Sequence, residues 1–245
     1  MAAPLEPSRT DRAAGGWRAR ARLTVSDLAW EFLRRNAEYR AEFVRISRRP
    51  ANIDPRWGLR FGADPVVPAP DAEVFWRPEI APGLVVPFEE RAEGGTAESR
   101  SWRPNGARRR DDESLHVRMP EGLQLQYRGS AKPGGPLLVV LAFDQDFGLR
   151  VRAVERLNRA VAGLAPPASQ MTTAQRERLA KSLAALDGDL GGDSYRTIAA
   201  SVFGPEAIER EAWRTSSVRA ATIRLVQAGR RMMRGGYLKL LRGGL

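Results

Sequence analysis

Cysteine is absent from the 245-residue chain, and histidine occurs once, as His116. Without cysteine there is no disulfide framework and no thiol nucleophile. With a single histidine as well, the usual zinc, copper and iron–sulfur sites are excluded. A Ser-His-Asp triad would have to be built on His116 alone. Long apolar runs are also missing. The longest, Leu137–Phe143, falls far short of the roughly 20 residues that a membrane helix needs. Residues 1–22 hold Arg9, Arg12, Arg18, Arg20 and Arg22 but lack the continuous apolar stretch of a secretory signal. The expectation is a cytoplasmic protein with no membrane partner.

What remains is 42% hydrophobic and 28% charged, a globular composition. Lys+Arg number 40 against 29 Asp+Glu, a net charge of +11 that calls for an anionic partner. Nucleic acid comes ahead of a membrane surface. The expected class is mainly α with a small β part (α+β).

Residues 1–24, rich in Ala, Gly and Arg, read as a disordered N-terminus. An N-terminal helical module with a Pro-rich extended segment follows over residues 25–88. Ser26 and Asp27 offer caps, and Phe32, Tyr39, Phe43 and Ile46 share one helical face. Arg34, Arg35, Arg40, Arg45, Arg48 and Arg49 decorate the other positions. Asn36, a good N-cap residue, could divide this into two short helices, and Pro50 ends it. Between Asp54 and Pro87, Trp57, Phe61, Phe75 and Trp76 sit among proline breaks and are expected to pin irregular chain to a core. Residues 89–114 read as a linker. Its block Arg108–Arg110 is offset by Asp111, Asp112 and Glu113, which suggests a solvated connector.

Leu115, Val117 and Met119, then Leu123, Leu125 and Tyr127 after the Glu121-Gly122 turn, alternate as in a β-hairpin. Leu137–Leu141 is a third candidate strand, expected to be buried on both faces. Phe147 to Val161 is helical in pattern, with Gly163 closing it. The C-terminal domain, 115–245, then carries a helix-turn-helix pattern at about 172–233. A helix opens at Thr172 or Thr173 and runs through Leu179, Leu183 and Leu186 to a stop at Asp187-Gly188. Asp193 or Ser194 caps Tyr195–Phe203. A Pro-initiated turn, Pro205–Glu211, leads to Trp213. Thr215-Ser216 caps a longer helix with Val218, Thr222, Leu225, Gly229 and Met232 on one face. The break between the last two helices exceeds the usual three or four residues, so the geometry is a variant.

From Ala212 to Leu245 there is no Asp or Glu, while Arg214, Arg219, Arg224, Arg230, Arg231, Arg234, Lys239 and Arg242 contribute eight positive charges. Double-stranded DNA is therefore the expected partner. Ser217, Arg219, Ala220 and Arg224 lie off the apolar stripe, near the N-terminus where base edges would be met. Arg196, Arg214, Thr215, Ser216, Arg230, Arg231, Arg234 and Lys239 are the phosphate candidates. Trp213, Phe203, Tyr195 and Leu225 are the expected core, with Trp213 anchoring the two helices. As alternatives, the aromatics could be stacking platforms for single strands, and the basic face a mere solvated or membrane-surface face.

No catalytic, metal or cofactor site is expected, and no enzyme. Asp187, Asp189 and Asp193 superficially suggest a calcium loop, but its fifth position is Gly191 and its twelfth Ile198, where a bidentate Glu is needed. Asp144 and Asp146 read as a helix cap, and Lys132-Pro-Gly-Gly-Pro as a turn. His116 reads as a solvent-facing strand residue, and Arg234-Gly-Gly and Arg242-Gly-Gly are too few for an RNA-binding tail.

The segments Leu183-Ala-Ala-Leu-Asp-Gly, Ser194-Tyr-Arg-Thr-Ile-Ala, Phe203-Gly204, Trp213, Ser217-Val-Arg, Ile223-Arg-Leu-Val and Arg234-Gly-Gly-Tyr-Leu-Lys-Leu-Leu resemble a proteobacterial domain family regarded as a variant helix-turn-helix. Asp144 to Gly163 looks like its usual preceding segment. Trp30-Glu-Phe-Leu-Arg-Arg-Asn-Ala-Glu-Tyr-Arg resembles the companion module often fused ahead of it. Together these cover most of 25–62 and 115–243. The two-module layout is similar to FseA-type transcriptional activators, which switch on excision and transfer of integrative and conjugative elements. That resemblance implies promoter binding, contact with RNA polymerase or another transcription factor, a small antiactivator as partner, and a nucleoid location. A homodimer is left open. The competing expectation is an antiactivator-like protein that binds other transcription factors without reading DNA. One departure from the family pattern is Ala37 where a proline is usual after Asn36, which favours a continuous helix.

Overall fold

The computed structural model describes residues 16–48, 52–69, 71–91, 102–165, 167, 171–209 and 212–243. In chain order its elements are α1 (Trp17–Arg20), α2 (Val25–Leu33), α3 (Ala37–Arg48), β1 (Val85–Glu90), β2 (Ala107–Arg110), β3 (Ser114–Arg118), β4 (Gln124–Arg128), β5 (Leu137–Val139), α4 (Phe147–Val161), α5 (Thr173–Leu190), α6 (Tyr195–Phe203), α7 (Glu206–Glu209), α8 (Ser217–Arg231) and α9 (Tyr237–Leu241). This is an α+β fold, as the composition and periodicity predict.

Two units divide the chain, and neither is continuous in sequence. The first takes residues 1–50, 64–72 and 170–237; the second takes 51–63, 73–169 and 238–245.

In the second unit the sheet order is β2-β3-β4-β1-β5. The β3–β4 hairpin pairs antiparallel as expected, with Val117 opposite Leu125 and Leu115 opposite Tyr127. β1 joins β4 in parallel and places Phe88 beside Tyr127, whose rings stack at 5.1 Å. Ala153 and Leu157 of α4 close this face over Val86, Phe88, Val117 and Leu125. Trp57, Phe75 and Trp76 are buried, as expected for the Pro-rich stretch. Strand β2 occupies part of the segment expected to be a linker, of which residues 92–101 lie outside the described residues.

His116 corrects the sequence reading: it is only 4% exposed. Its neighbours on β3 alternate, but the face that should meet water is covered by Phe61 and Phe75. Its Nε2 lies 3.0 Å from Asp111 Oδ2, which also accepts a bond from Arg60 Nε at 2.6 Å. Burial pushes the imidazole below 6.5 against the pull of Asp111. Asp111 is therefore occupied by Arg60 and His116 instead of merely balancing the neighbouring arginines. β5 is a second correction. It is an edge strand among the described residues, with Leu138 and Val139 exposed and Val140 exposed just after it, not a strand buried on both faces.

In the first unit, Thr24 caps α2 in a reciprocal capping box with Asp27, two residues ahead of the expected cap at Ser26. The helix does break at Asn36, so Ala37 does not make it continuous. Asn36 Oδ1 accepts bonds from the backbone N–H of Glu38 (2.9 Å) and Tyr39 (3.3 Å), while its Nδ2 donates to Met233 C=O. Trp30 and Tyr39 pack edge to face, and Trp30 Nε1 donates to Val67 C=O at 3.0 Å. The stretch expected to be a disordered N-terminus is partly ordered: α1 buries Trp17, whose Nε1 donates to Val202 C=O. Residues 1–15 lie outside the described residues.

Arg35, one of the arginines off the expected apolar face, is buried. Its Nε and Nη2 donate to the two oxygens of Asp187 at 2.5 and 3.0 Å, and its Nη1 donates to Glu31 Oε2 at 2.5 Å. Arg20 Nη2 completes the cluster 2.8 Å from Asp187. The other oxygen of Glu31 accepts the Ala69 N–H at 2.8 Å. Burial alone would raise both carboxyl pKa values, but Arg35, with Arg20 at Asp187 and Arg34 at Glu31, outweighs it and holds them below 3.8 and 4.5.

Candidate nucleic-acid interface

Helices α5, α6 and α8 pack on one another around Ala185, Ile198, Val202 and Val226, with Leu225 against the cluster. Two glycines set how closely they approach. A Cβ on Gly229 would stand 2.6 Å from the Ser182 carbonyl oxygen, so α8 crosses α5 backbone to side-chain-free backbone. A Cβ on Gly188 would stand 2.8 Å from Ile198 Cγ1. Gly188 is therefore a contact residue inside α5 and not its terminator. The helix ends instead at Gly191 and Gly192, where φ of +81° at Gly192 suits glycine.

Ser194 and Ser216 cap α6 and α8 with side-chain oxygens that accept the N–H of Thr197 and Arg219. Ser216 is buried, so although its oxygen only accepts in the cap, its hydroxyl is not presented to a phosphate. Along α8 the expected apolar stripe faces inward: Thr222 and Gly229 are buried, and Val218, Leu225 and Met232 half-buried.

The opposite side of α8 is exposed. Ser217, Ala220, Arg224, Gln227 and Arg231 follow one another at helical spacing and form its central stripe. Three of the four expected base-reading residues thus share a line. Arg219 is exposed as well, but stands on the flank in register with Arg230. Gln227 is absent from the sequence-based set; its place three residues after Arg224 is the signal that would have found it. Among the described residues, Arg219, Arg224 and Arg231 enter no ion pair.

Arg230 differs. Its Nε and Nη2 grip Asp189 at 2.7 and 2.6 Å, so one of the phosphate candidates already holds a carboxylate. Arg242 is likewise held by Asp146 at 2.6 Å. These pairs also account for two of the three aspartates that hinted at calcium: Asp187 binds Arg20 and Arg35, and Asp189 binds Arg230. Arg196, in the first turn of α6, is exposed, as are Arg214 and Thr215 before α8 and Arg234 after it. Lys239 is exposed too, but belongs to the second unit.

The aromatic expectations are corrected here. Tyr195 and Phe203 are 39% and 37% exposed, because they occupy the two ends of a short helix whose middle, Ile198 to Val202, supplies the core contact. Trp213 is half-buried. Trp213→Ala should accordingly cost less than the about 3–5 kcal/mol of a fully buried tryptophan. Thermal melting checks this, and a loss within that range would show that Trp213 anchors the helices after all.

Among the described residues no helix is long and apolar enough to cross a membrane, and no cluster of His, Asp and Glu is placed to hold a metal ion. Residues 11–62 match a family described as a proteobacterial transcriptional regulator-like domain. Residues 140–242 match one described as T6SS, Transcription factor, DNA binding domain. No curated protein matches the sequence. The second match spans α5 to α8 and the whole exposed basic stripe, and neither matched family is described as an enzyme. The chain thus joins a region similar to a transcriptional regulator-like domain to one similar to a transcription factor's DNA-binding domain, which together point to a two-module DNA-binding transcriptional regulator.

Proposed function

We propose that the protein is a sequence-specific, promoter-binding activator that lays α8 in the major groove. The observation that carries this is the exposed stripe Ser217, Ala220, Arg224, Gln227 and Arg231, whose charges are all positive and carry no internal counter-ion among the described residues. A helix about 10–12 Å across fits a groove about 12 Å wide. In this reading Arg224 and Gln227 face base edges, with Ser217 and Ala220 allowing close approach. Arg224 suits guanine and Gln227 adenine. Arg219, Arg231, Arg214, Thr215 and Arg196 meet phosphates, together with the N-terminus of α8. Because the match is to a DNA-binding domain, direct reading of DNA is favoured over an antiactivator that binds only other regulators.

The FseA-type resemblance extends the proposal to genes for excision and transfer of an integrative and conjugative element, read on the bacterial nucleoid. The similarity to a DNA-binding family described with the term T6SS adds type VI secretion genes as a second class of target. Mapping the bound promoters across the host genome separates the two.

Mobility shifts on promoter fragments test the interface itself. Arg224→Ala should lose about 1–3 kcal/mol of preference for the specific site while leaving non-specific binding nearly intact. Arg231→Ala should weaken all DNA alike and reduce the salt slope by about 0.9. Absence of any affinity for DNA near about 50 mM salt, where phosphate contacts are strong, would end the activator reading.

A further inference from the structure

The longest apolar run of the chain, Leu137–Phe143, lies on the surface of the second unit. Leu138 is 46% exposed, Val139 37%, Val140 40% and Phe143 91%. The first part of the run is β5, at one edge of the sheet. Its backbone geometry shows which groups are spent. Arg91 N–H donates to Pro136 C=O at 3.0 Å and Val140 N–H donates to Pro87 C=O at 3.4 Å, while Leu138 stands opposite Glu89. Residues 136, 138 and 140 therefore bond toward β1, and Leu137, Val139 and Leu141 turn their N–H and C=O groups outward. An edge of this kind is a template for another strand, and proteins ordinarily blunt it with Lys, Pro or a bulge. No charge and no proline interrupts 137–143. The opposite edge, β2, carries Arg108, Arg109 and Arg110 and is blunted in that way.

We propose that β5 pairs antiparallel with β5 of a second copy of this chain about a two-fold axis, joining two five-stranded sheets. The register centred on Val139 engages every outward group: Val139 meets Val139 of the second copy, and Leu137 meets Leu141. Leu138 then lies beside Val140, so apolar pairs meet on both faces and no like charges are opposed. Every position from 137 to 143 is apolar, so the same edge presented by a second copy meets no charge in this register, and Asp144, which follows the run, is already held by Arg150 at 2.9 Å. Because each chain offers one such edge among its described residues, the contact is isologous and closes at two copies.

Sedimentation of the full chain at micromolar concentration, without DNA, tests this independently of promoter binding. The wild type should sediment as a dimer. Val139→Lys and Val139→Glu each set like charges against each other on the axis and should weaken self-association by at least about tenfold. An equal mixture of the two variants should restore the dimer, which misfolded chains could not do. A monomeric wild type, a closed assembly of another size, variants that still dimerise, or a mixture that stays monomeric would each overturn the proposal.

Discussion

Asp187→Ala is expected to destabilise the first unit by about 3–5 kcal/mol, the cost of removing one partner from a buried ion pair. The loss is large because the carboxylate holds two cations at once. Without it, Arg20 loses the ion pair it makes there, and Arg35 keeps only its bond to Glu31, which already receives Arg34 and the Ala69 N–H. In a protein of this size the unfolding midpoint should fall by on the order of 10 °C. Arg35→Ala should be costly too, and the double variant much less costly than the two single losses added, because each single change strands the other charge. Simple additivity would show that the pair is not coupled. The sign with pH follows from the depressed carboxyls. Asp187 and Glu31 stabilise the fold fully above their unfolded values of 3.8 and 4.5, and that contribution drains away as pH falls through the lower folded values. Wild-type stability should thus decline in acid, and Asp187→Ala should lack part of that decline.

Gly229→Val is the second large effect, about 3 kcal/mol, at the upper end of ordinary overpacking. Even the first carbon of a side chain would sit 2.6 Å from the Ser182 carbonyl and 2.9 Å from Leu186 Cβ, and neither backbone nor packed leucine can yield that much. The helices must part. Since Gly229 is on the buried side of α8, the variant leaves every exposed basic residue in place yet should bind promoter DNA poorly. Mobility shifts beside melting curves give the answer. Unchanged DNA affinity would mean that the spacing of α8 from α5 does not govern the interface.

Much of the first-order architecture was legible. The limits of α4 and α6 and the Ser216 cap of α8 follow from caps and 3.6-residue periodicity, and the β3–β4 hairpin follows from alternation around a glycine turn. Periodicity says which residues share a face, but not what covers that face. His116 alternates like an exposed residue and is covered by Phe61, which lies far away in sequence. Tyr195 and Phe203 have core-like chemistry but sit at helix ends, beyond the reach of the core. Arg35 looks like surface charge until Asp187 is brought to it across the fold. For the candidate interface, the sequence pointed to α8 and to Arg224. The commitment of Arg230 to Asp189, and the burial of Ser216, required three-dimensional partners that spacing cannot reveal.

The interleaving of the first unit bears on how the protein is made. Synthesis proceeds from the N-terminus at about 5–20 residues per second, and segments fold as their partners emerge. Glu31 and Arg35 leave the ribosome long before Asp187, so α2 must wait in water, its charges hydrated, until α5 arrives to bury them. All five strands of the sheet are translated during that interval. A nascent or truncated chain that stops short of α5 therefore holds an N-terminal module with no buried counter-charge, an open target for proteolysis. The charge cluster that ties the N-terminal helices to α5 can form only once α5 has been made.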